Sequence, residues 1–252
     1  MAIWAVCQKD FRLMLFGLAC EGPTDQITIE NILCGYFDYP DLDADIAPLQ
    51  PLFDETSQKQ KAGEIGGWTG LLNYYLCSKR FRDDVLNTRF VIIQVDTDVS
   101  NDKGFDVPHI DEQNNHLSPG VLISDVIAKL ISTIETGEEG FYEEHAEKIL
   151  FAVSVHSIEC WLYAHYNNKE PLKSPKITGC ERALLHLYGK GTNPSLSKIK
   201  PNIDKNYNSY NKLSQPFLKR RHIDEVVQKD PSFRVFIESL AQIETQVLAE
   251  LR

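Results

Sequence analysis

The sequence lacks most of the short motifs that identify common catalytic and metal-binding domains. Its six cysteines occur singly, without a CxxC pair, which argues against a cysteine-based zinc site and predicts reduced, buried thiols. A Walker A loop needs Gly-Lys followed by Ser or Thr, and no such element occurs. GxSxG and HExxH are also absent. The sequence is therefore not that of a P-loop NTPase, an α/β-hydrolase or a zinc protease of the HExxH type.

Long apolar runs are missing as well. Runs such as "FVIIQV" at 90–95 are too short to span a bilayer, and "MAIWAVCQKD" lacks the features of a signal peptide. We therefore expect a cytoplasmic protein that does not associate with membranes. The chain of 252 residues, with 42% hydrophobic and 25% charged residues, has the composition of a globular protein. Its length suits one large domain or a core domain with a smaller appendage.

The charges are distributed unevenly along the chain. The formal net charge is −10, but the segment 169–229 contains 13 Lys and Arg against 5 Asp and Glu, a net charge of +8. The remaining residues contain 13 Lys and Arg against 31 Asp and Glu, a net charge of −18. Such asymmetry indicates an acidic part that holds cations and a basic part that holds an anion, although lysine-rich loops are also compatible with simple solvation.

Short apolar segments alternate with segments of helical periodicity. Strands are predicted at 12–20, 89–98 and 148–155, with a further short strand near 46–53. Helices are predicted after residue 24, with Thr24 as N-cap, and at 68–84, at 121–135, after residue 156 and at the C-terminus. This alternation predicts an α/β fold, in which helices cover both faces of a mostly parallel sheet. In such folds ligands bind at the carboxyl ends of the strands.

Acidic residues follow three of the predicted strands. Glu21 follows the first, Asp96 and Asp98 end the second, and Glu159 comes shortly after the third. Asp25 falls in the first turn of the following helix. Each acid alone is explained by a favourable interaction with a helix N-terminus or by solvation at the start of a loop. Together they predict one cluster of oxygen ligands, which hard cations such as Mg²⁺ and Mn²⁺ prefer.

These residues resemble a known family. A strand ending in "EG" (Glu21-Gly22) and a later strand ending in DxD (Asp96-Thr97-Asp98) resemble the TOPRIM domain of topoisomerases, bacterial primases and OLD-type nucleases. The segment "SIECWLYA" at 157–164 is similar to one in small stand-alone TOPRIM-like proteins from anti-phage and mobile-element loci, often encoded beside an ABC-type ATPase. The resemblance covers about residues 12–165 and consists of three short motifs.

The resemblance implies a Rossmann-like sheet with Mg²⁺ or Mn²⁺ bound by these acids, and phosphodiester chemistry on DNA or RNA. The sequence departs from the topoisomerase pattern at Ser100 and Asn101, where a third Asp and a Gly are expected. Asp25 stands where relatives often have Glu, and the chain is too short for a topoisomerase gate. We therefore expect the nuclease branch. Asp96 and Asp98 hold one ion, Glu21 is a ligand or the general base, and Asp25 and Glu159 support a second ion.

The predicted organisation has two parts. Residues 1–167 form a TOPRIM-like metal-binding domain, and residues 168–252 form a basic, mainly helical part that contacts the nucleic acid. The residues expected to contact phosphates there are Lys205, Lys212, Lys219, Arg220 and Arg221. Tyr207 and Tyr210 either stack on unpaired bases or pack within the protein.

The overall prediction is a metal-dependent endonuclease of a bacterial defence or mobile-element system. The alternatives are a non-catalytic partner or regulatory subunit of an ABC-type ATPase, and a phosphotransferase or small-nucleotide hydrolase. The sequence leaves open whether the protein forms a homo-oligomer.

Overall fold

The computed structural model describes residues 13–54, 59–60, 65–167, 179–189 and 205–251. Its strands are β1 (Met14–Ala19), β2 (Ile46–Gln50), β3 (Phe53–Asp54), β4 (Lys59–Gln60), β5 (Thr88–Asp96) and β6 (Ile149–Ser154). Four of them form a parallel sheet in the order β2–β1–β5–β6, whereas β3 and β4 form a separate antiparallel pair. The predicted α/β fold with a parallel sheet is confirmed, including the short strand near 46–53.

Helices connect these strands and continue beyond the last one. They are α1 (Pro23–Tyr36), α2 (Gly67–Thr69), α3 (Lys79–Leu86), α4 (Pro119–Gly137), α5 (Phe141–His145), α6 (Ile158–Tyr166), α7 (Cys180–Gly189), α8 (Tyr207–Ser214), α9 (Arg220–Val227) and α10 (Pro231–Glu250). A π-helical segment, Gly70–Leu76, continues α2. Short 3₁₀ segments occur at Pro40–Asp45, Ala146–Lys148 and Gln215–Leu218.

The sheet is buried on both faces because its strands are apolar on both sides. Along β5, Phe90 and Ile92 belong to a hydrophobic cluster that includes residues of α1, α6 and α8–α10. The intervening Val91, Ile93 and Val95 belong to a second cluster, which includes residues of the π-helical segment, α3 and α4. Successive side chains of a strand point to opposite faces, so one continuous apolar run supplies both cores.

The order of the strands creates a switch point between β1 and β5. From β1 the chain first adds β2 on one side, and then crosses to place β5 and β6 on the other side. In open parallel sheets, the carboxyl ends of the two strands at such a point form the edges of a ligand-binding crevice. Glu21 follows β1 and Asp96 is the last residue of β5, so the two acids flank this crevice.

The C-terminal helices pack directly against the sheet and its flanking helices. The Trp161 ring of α6 stacks on Phe236 with centroids 5.8 Å apart and makes an edge contact with Phe233 at 5.2 Å. At Gly35 of α1, a Cβ atom would lie only 1.8 Å from the carbonyl oxygen of Phe217, so only glycine permits this close approach. The predicted division into two parts at residue 168 stays a prediction.

Three local predictions are corrected by the structure. The helix expected at 68–84 is two helical pieces, because Ser78 caps α3 by accepting a hydrogen bond from the Phe81 N–H at 3.1 Å. Thr24 is not an N-cap, since α1 begins at Pro23 after Gly22. Cys160 and Cys180 form a disulfide between α6 and α7, so the prediction of reduced thiols is wrong for this pair. Cysteines 20 residues apart in sequence give no pattern from which the pairing is recognisable.

Within the part of the chain that the structure describes, no helix combines the length and apolarity needed to cross a membrane. The basic segment is described only in part, because residues 168–178 and 190–204 lie outside the described residues.

Candidate metal centre

Five carboxyl groups meet at the carboxyl edge of the sheet. Local structure places them there: Glu21 follows β1, Asp25 lies in the first turn of α1, and Asp96 ends β5. Asp98 follows two residues later, and Glu159 lies in the first turn of α6, directly after β6. The charges of these groups act on one another's pKa values, so the structure brings all five predicted acids into one cluster.

Glu21 and Asp96 are joined directly across the switch point. The backbone N–H of Asp96 donates a hydrogen bond of 2.9 Å to Oε1 of Glu21. Gln94 joins the same two residues, because its Nε2 donates to Oδ1 of Asp96 at 2.9 Å and its Oε1 accepts from the Glu21 N–H at 3.5 Å. Gln94 is fully buried in the middle of the sheet, and this buried amide therefore fixes the positions of both strand ends.

Oδ1 of Asp96 accepts several hydrogen bonds and is thereby held in a single orientation. Besides the Gln94 amide, the Ser154 hydroxyl donates to it at 2.5 Å and the Ile158 N–H donates at 3.1 Å. Ser154 ends β6, and Ile158 begins α6. Oδ1 of Asp96 thus connects β5, β6 and the start of α6. Gln94, Ser154 and Ile158 all donate to this oxygen and not to Oδ2.

Glu159 is stabilised by contacts with a tyrosine and a lysine. Its side chain is buried, and Oε1 accepts a hydrogen bond from the Tyr210 hydroxyl and lies 3.6 Å from Nζ of Lys205. Burial by itself raises the pKa of Glu159, but hydrogen bonds from Ser157 and Tyr210 together with the Lys205 charge outweigh it and lower the pKa. Nζ of Lys205 also lies 3.4 Å from Glu181.

Asp98 occupies the exposed edge of the cluster. Its backbone N–H donates to the carbonyl oxygen of His156 at 2.9 Å, and the residue is exposed. His156 has a backbone φ of 71°, a left-handed conformation that is uncommon for a residue other than glycine. The neighbouring Thr97 is buried, and its hydroxyl accepts from the His156 N–H at 2.7 Å. The loops after β5 and β6 are therefore held together directly beside the cluster.

Burial, together with the concentration of negative charge, raises the pKa of three acids strongly. Burial raises the pKa of Glu21 to about 8, and the negative charge of Asp96 adds to this effect. Burial likewise raises the pKa of Asp25 well above its ordinary value, with further contributions from Glu21 and Glu159. For Asp96, burial and then the charges of Asp25 and Glu159 raise the pKa in the same way. Carboxylates this close repel each other unless they are protonated or neutralised by a cation.

The chemistry of the donor set suits Mg²⁺ or Mn²⁺, whereas its spacing is wider than that of a closed site: among the described residues, no three of these acids have one carboxylate oxygen each within 4.8 Å of one another. The cluster offers carboxylate oxygens from Glu21, Asp25, Asp96 and Asp98, and such hard cations prefer oxygen ligands. Glu159 is available as a further ligand, although Tyr210 and Lys205 already contact it. His156 also lies near Cys160 and Cys180, but those two sulfur atoms are bonded to each other.

The five basic residues predicted to contact nucleic acid do not form one group. Lys205 is at the cluster, whereas Arg220 contacts the far end of α1, where it donates to the Tyr36 carbonyl oxygen at 2.8 Å and covers the Tyr36 ring. Tyr36 lies about 16 Å along α1 from Asp25, at 1.5 Å per residue. The other three predicted residues are exposed at the surface: Lys212, Lys219 and Arg221.

Sequence reasoning missed the residues that organise the acids. Tyr210 is buried and donates to Glu159, so it packs in the protein and is not available for stacking on a base. Gln94 and Ser154 both bind Oδ1 of Asp96. A signal for Gln94 and Ser154 is present in the sequence, since each is a polar residue within a predicted buried strand, where an unpaired polar group is costly.

Comparison with known proteins identifies no relative of this chain. No protein-family model matches it, and neither the curated proteins nor the solved structures yield a match.

Proposed function

We propose that the protein is a nuclease that hydrolyses phosphodiester bonds of DNA or RNA with Mg²⁺ or Mn²⁺. The observation that carries the proposal is the gathering of five carboxyl groups at the carboxyl edge of a parallel sheet, beside its switch point, three of them with strongly raised pKa values. A cluster of this charge is stabilised by a cation. The TOPRIM-like order of the motifs, with Glu21 after the first strand and Asp96 and Asp98 after a later one, supports the same reaction class.

The residues that hold the ion are Asp96 and Asp98, with Glu21 beside them and Asp25 and Glu159 available for a second ion. When bound, Mg²⁺ or Mn²⁺ supplies Lewis acidity and neutralises charge on phosphoryl oxygens. Oδ1 of Asp96 is already fixed by Ser154 and Gln94, so its carboxylate needs little rearrangement to bind. Such preorganisation is what electrostatic catalysis requires.

Glu21 is suited to accept a proton from the attacking water. In the metal-free protein, burial and the charge of Asp96 raise its pKa to about 8; a bound cation lowers the pKa, so the carboxylate is then ionised and able to accept a proton. The hydrogen bond from the Asp96 N–H engages Oε1 and orients the carboxyl group. Lys205 carries a positive charge at the cluster. We assign to it the neutralisation of negative charge that develops on the phosphate.

The proposal is tested by incubating the purified protein with single-stranded DNA, double-stranded DNA and tRNA, in Mg²⁺, in Mn²⁺ and in chelator. We expect cleavage of at least one substrate with a divalent ion, none with chelator, and none by the Asp96→Asn/Asp98→Asn variant. Asp125→Asn is the matched control, because this aspartate is exposed on α4 outside the cluster.

The substrates are tested with and without any ABC-type ATPase encoded beside the protein. Cleavage that survives chelator or the double substitution would contradict the proposal. Absence of cleavage under every condition, with Mn²⁺ binding retained, would instead favour a non-catalytic subunit of such an ATPase. Free nucleotides are assayed in parallel, and hydrolysis of these alone would favour a small-nucleotide hydrolase.

A further inference from the structure

A second group of potential metal ligands lies between α6 and α9, outside the carboxylate cluster. His165 is in the last turn of α6, and His222 and Glu225 are three residues apart on α9. Helical residues at this spacing share a face. One ring nitrogen of each histidine and one carboxylate oxygen of Glu225 all lie within 4.8 Å of one another.

The separation between His222 and Glu225 matches that of two ligands on one ion. Nδ1 of His222 and Oε2 of Glu225 are 3.3 Å apart, which is long for a hydrogen bond from a nitrogen to an oxygen. Two ligand atoms at the usual distances from a tetrahedral Zn²⁺ ion are about 3.3 Å apart. Nε of Arg221 donates to Nε2 of His222 at 3.3 Å, so without metal the ring proton is on Nδ1, the nitrogen that faces the carboxylate. An ion that binds Nδ1 therefore requires the other tautomer of His222, with the proton on Nε2 and the exposed Arg221 side chain turned away.

His165 supplies an independent observation. Its Nδ1 is buried and, among the described residues, has no hydrogen-bond partner. Buried polar atoms in native proteins nearly always have a partner, and an orphaned imidazole nitrogen is explained by a ligand that the protein chain itself does not supply. The ring lies against that of His222, with centroids 4.8 Å apart and planes at 75°.

We propose that His165, His222 and Glu225 bind a divalent transition-metal ion of the Zn²⁺ class. Two imidazoles with one carboxylate suit Zn²⁺, Co²⁺ or Ni²⁺, whereas Mg²⁺ prefers oxygen ligands alone. Glu225 is exposed and His222 is partly exposed, so an ion reaches the site from solvent and a water molecule completes the coordination. The ion links α9 to α6, and thereby joins the C-terminal helices to the helix that carries Glu159.

The site is tested by titrating Zn²⁺ and Co²⁺ into the Asp96→Asn/Asp98→Asn protein, in which the carboxylate cluster is disabled. We expect one Zn²⁺ per chain, a higher melting temperature on binding, and a Co²⁺ spectrum of a nitrogen–oxygen site without thiolate charge-transfer bands. Adding His222→Asn or Glu225→Gln should weaken binding at least about tenfold, as even loss of outer-shell groups has such effects. His186→Asn, which alters a histidine of α7 that is not one of the three ligands, should leave binding unchanged.

Because His222 and Glu225 are not buried, both variants should fold, and circular dichroism and melting without metal verify this. If His222→Asn and Glu225→Gln fold and bind Zn²⁺ with the same affinity as the parent protein, the proposal is overturned. Thiolate bands in the Co²⁺ spectrum would overturn it too, because they would assign the ion to cysteine ligands, either a free cysteine or Cys160 and Cys180 after reduction of their disulfide. Absence of Zn²⁺ binding to the parent protein would also overturn it.

Discussion

The backbone N–H of Asp96 donates a hydrogen bond of 2.9 Å to Oε1 of Glu21, although 75 positions separate the two residues. This bond joins the ends of β1 and β5, the strands on either side of the switch point. It places the two residues side by side in a partly buried crevice, where burial and then the charge of Asp96 raise the pKa of Glu21. An arrangement that is unfavourable for the protein alone becomes favourable when a cation is bound.

Metal binding should depend on the two aspartates of the DxD motif. The Asp96→Asn/Asp98→Asn variant should lose measurable Mn²⁺ binding and keep its fold, because the change removes two charges from a cluster in which they repel one another. Calorimetric titration with Mn²⁺ measures the affinity, and thermal melting at pH 8 measures the fold. Unchanged Mn²⁺ binding in the double variant would place the ion elsewhere.

The affinity for a divalent ion should increase with pH. The raised pKa values mean that the free protein keeps protons on Glu21, Asp25 and Asp96 that an ion must displace. Affinity should rise by up to about tenfold per pH unit for each proton released, and the contribution of Glu21 should level off above its pKa of about 8. Calorimetry in two buffers with different ionisation enthalpies counts the protons, and an affinity that is constant from acidic pH to pH 8 would contradict this.

The same groups set the pH dependence of stability without metal. When the pKa of an acid is higher in the folded than in the unfolded state, the folded state binds more protons at pH values between the two pKa values. The free energy of unfolding therefore falls as pH rises through this window. For Glu21 this window runs from its ordinary 4.5 to about 8. Saturating Mn²⁺ should make the decrease in stability smaller, which melting curves with Mn²⁺ and with chelator measure. A decrease of the same size in both conditions would contradict this prediction.

Tyr210→Phe should destabilise the protein by about 1.5–3 kcal/mol at pH 7, the usual range for a hydrogen bond to a charged group. The Tyr210 hydroxyl is one of the groups that lower the pKa of Glu159, so its contribution is present above pH 4.5 and is lost as pH falls through the folded pKa. Tyr166→Phe is the control, because Tyr166 donates to a neutral carbonyl oxygen, that of Leu213. Urea unfolding at pH 7 and pH 4 should find a pH-dependent cost for Tyr210→Phe alone, and equal pH dependence in both variants would refute the assignment.

The basic residues at the surface should act on nucleic-acid binding, whereas Arg220 should act on stability. Lys219→Ala/Arg221→Ala should make the dependence of log K on log salt shallower, by up to about one unit for each phosphate that the variant no longer binds. Arg220→Ala should instead destabilise the fold by about 1–3 kcal/mol, because it removes a hydrogen bond to the Tyr36 carbonyl oxygen and a cation–π interaction with the Tyr36 ring. An unaltered salt slope in the double variant would mean that Lys219 and Arg221 do not bind phosphates.

The fold and the positions of the acids were predictable because they follow from local patterns. Buried strands are continuous apolar runs, and parallel topology brings their carboxyl ends together, which placed Glu21 beside Asp96. The partners of these acids were not predictable in the same way. Tyr210 reaches Glu159 across 51 positions, and Cys160 pairs with Cys180, through tertiary packing that leaves no periodic signal in the sequence.

Glu21 provides the most direct test of the proposed nuclease activity. Glu21→Gln keeps the shape of the side chain and an oxygen that accepts the Asp96 hydrogen bond, but removes the charge that binds a cation or accepts a proton. We predict near-normal melting and substrate binding, with single-turnover cleavage in Mg²⁺ reduced at least about a hundredfold, the lower range for loss of a general base. Glu143→Gln, which alters a glutamate of α5 outside the cluster, should cleave at the wild-type rate. Cleavage by Glu21→Gln within a few-fold of wild type would remove Glu21 from the reaction and contradict the proposed mechanism.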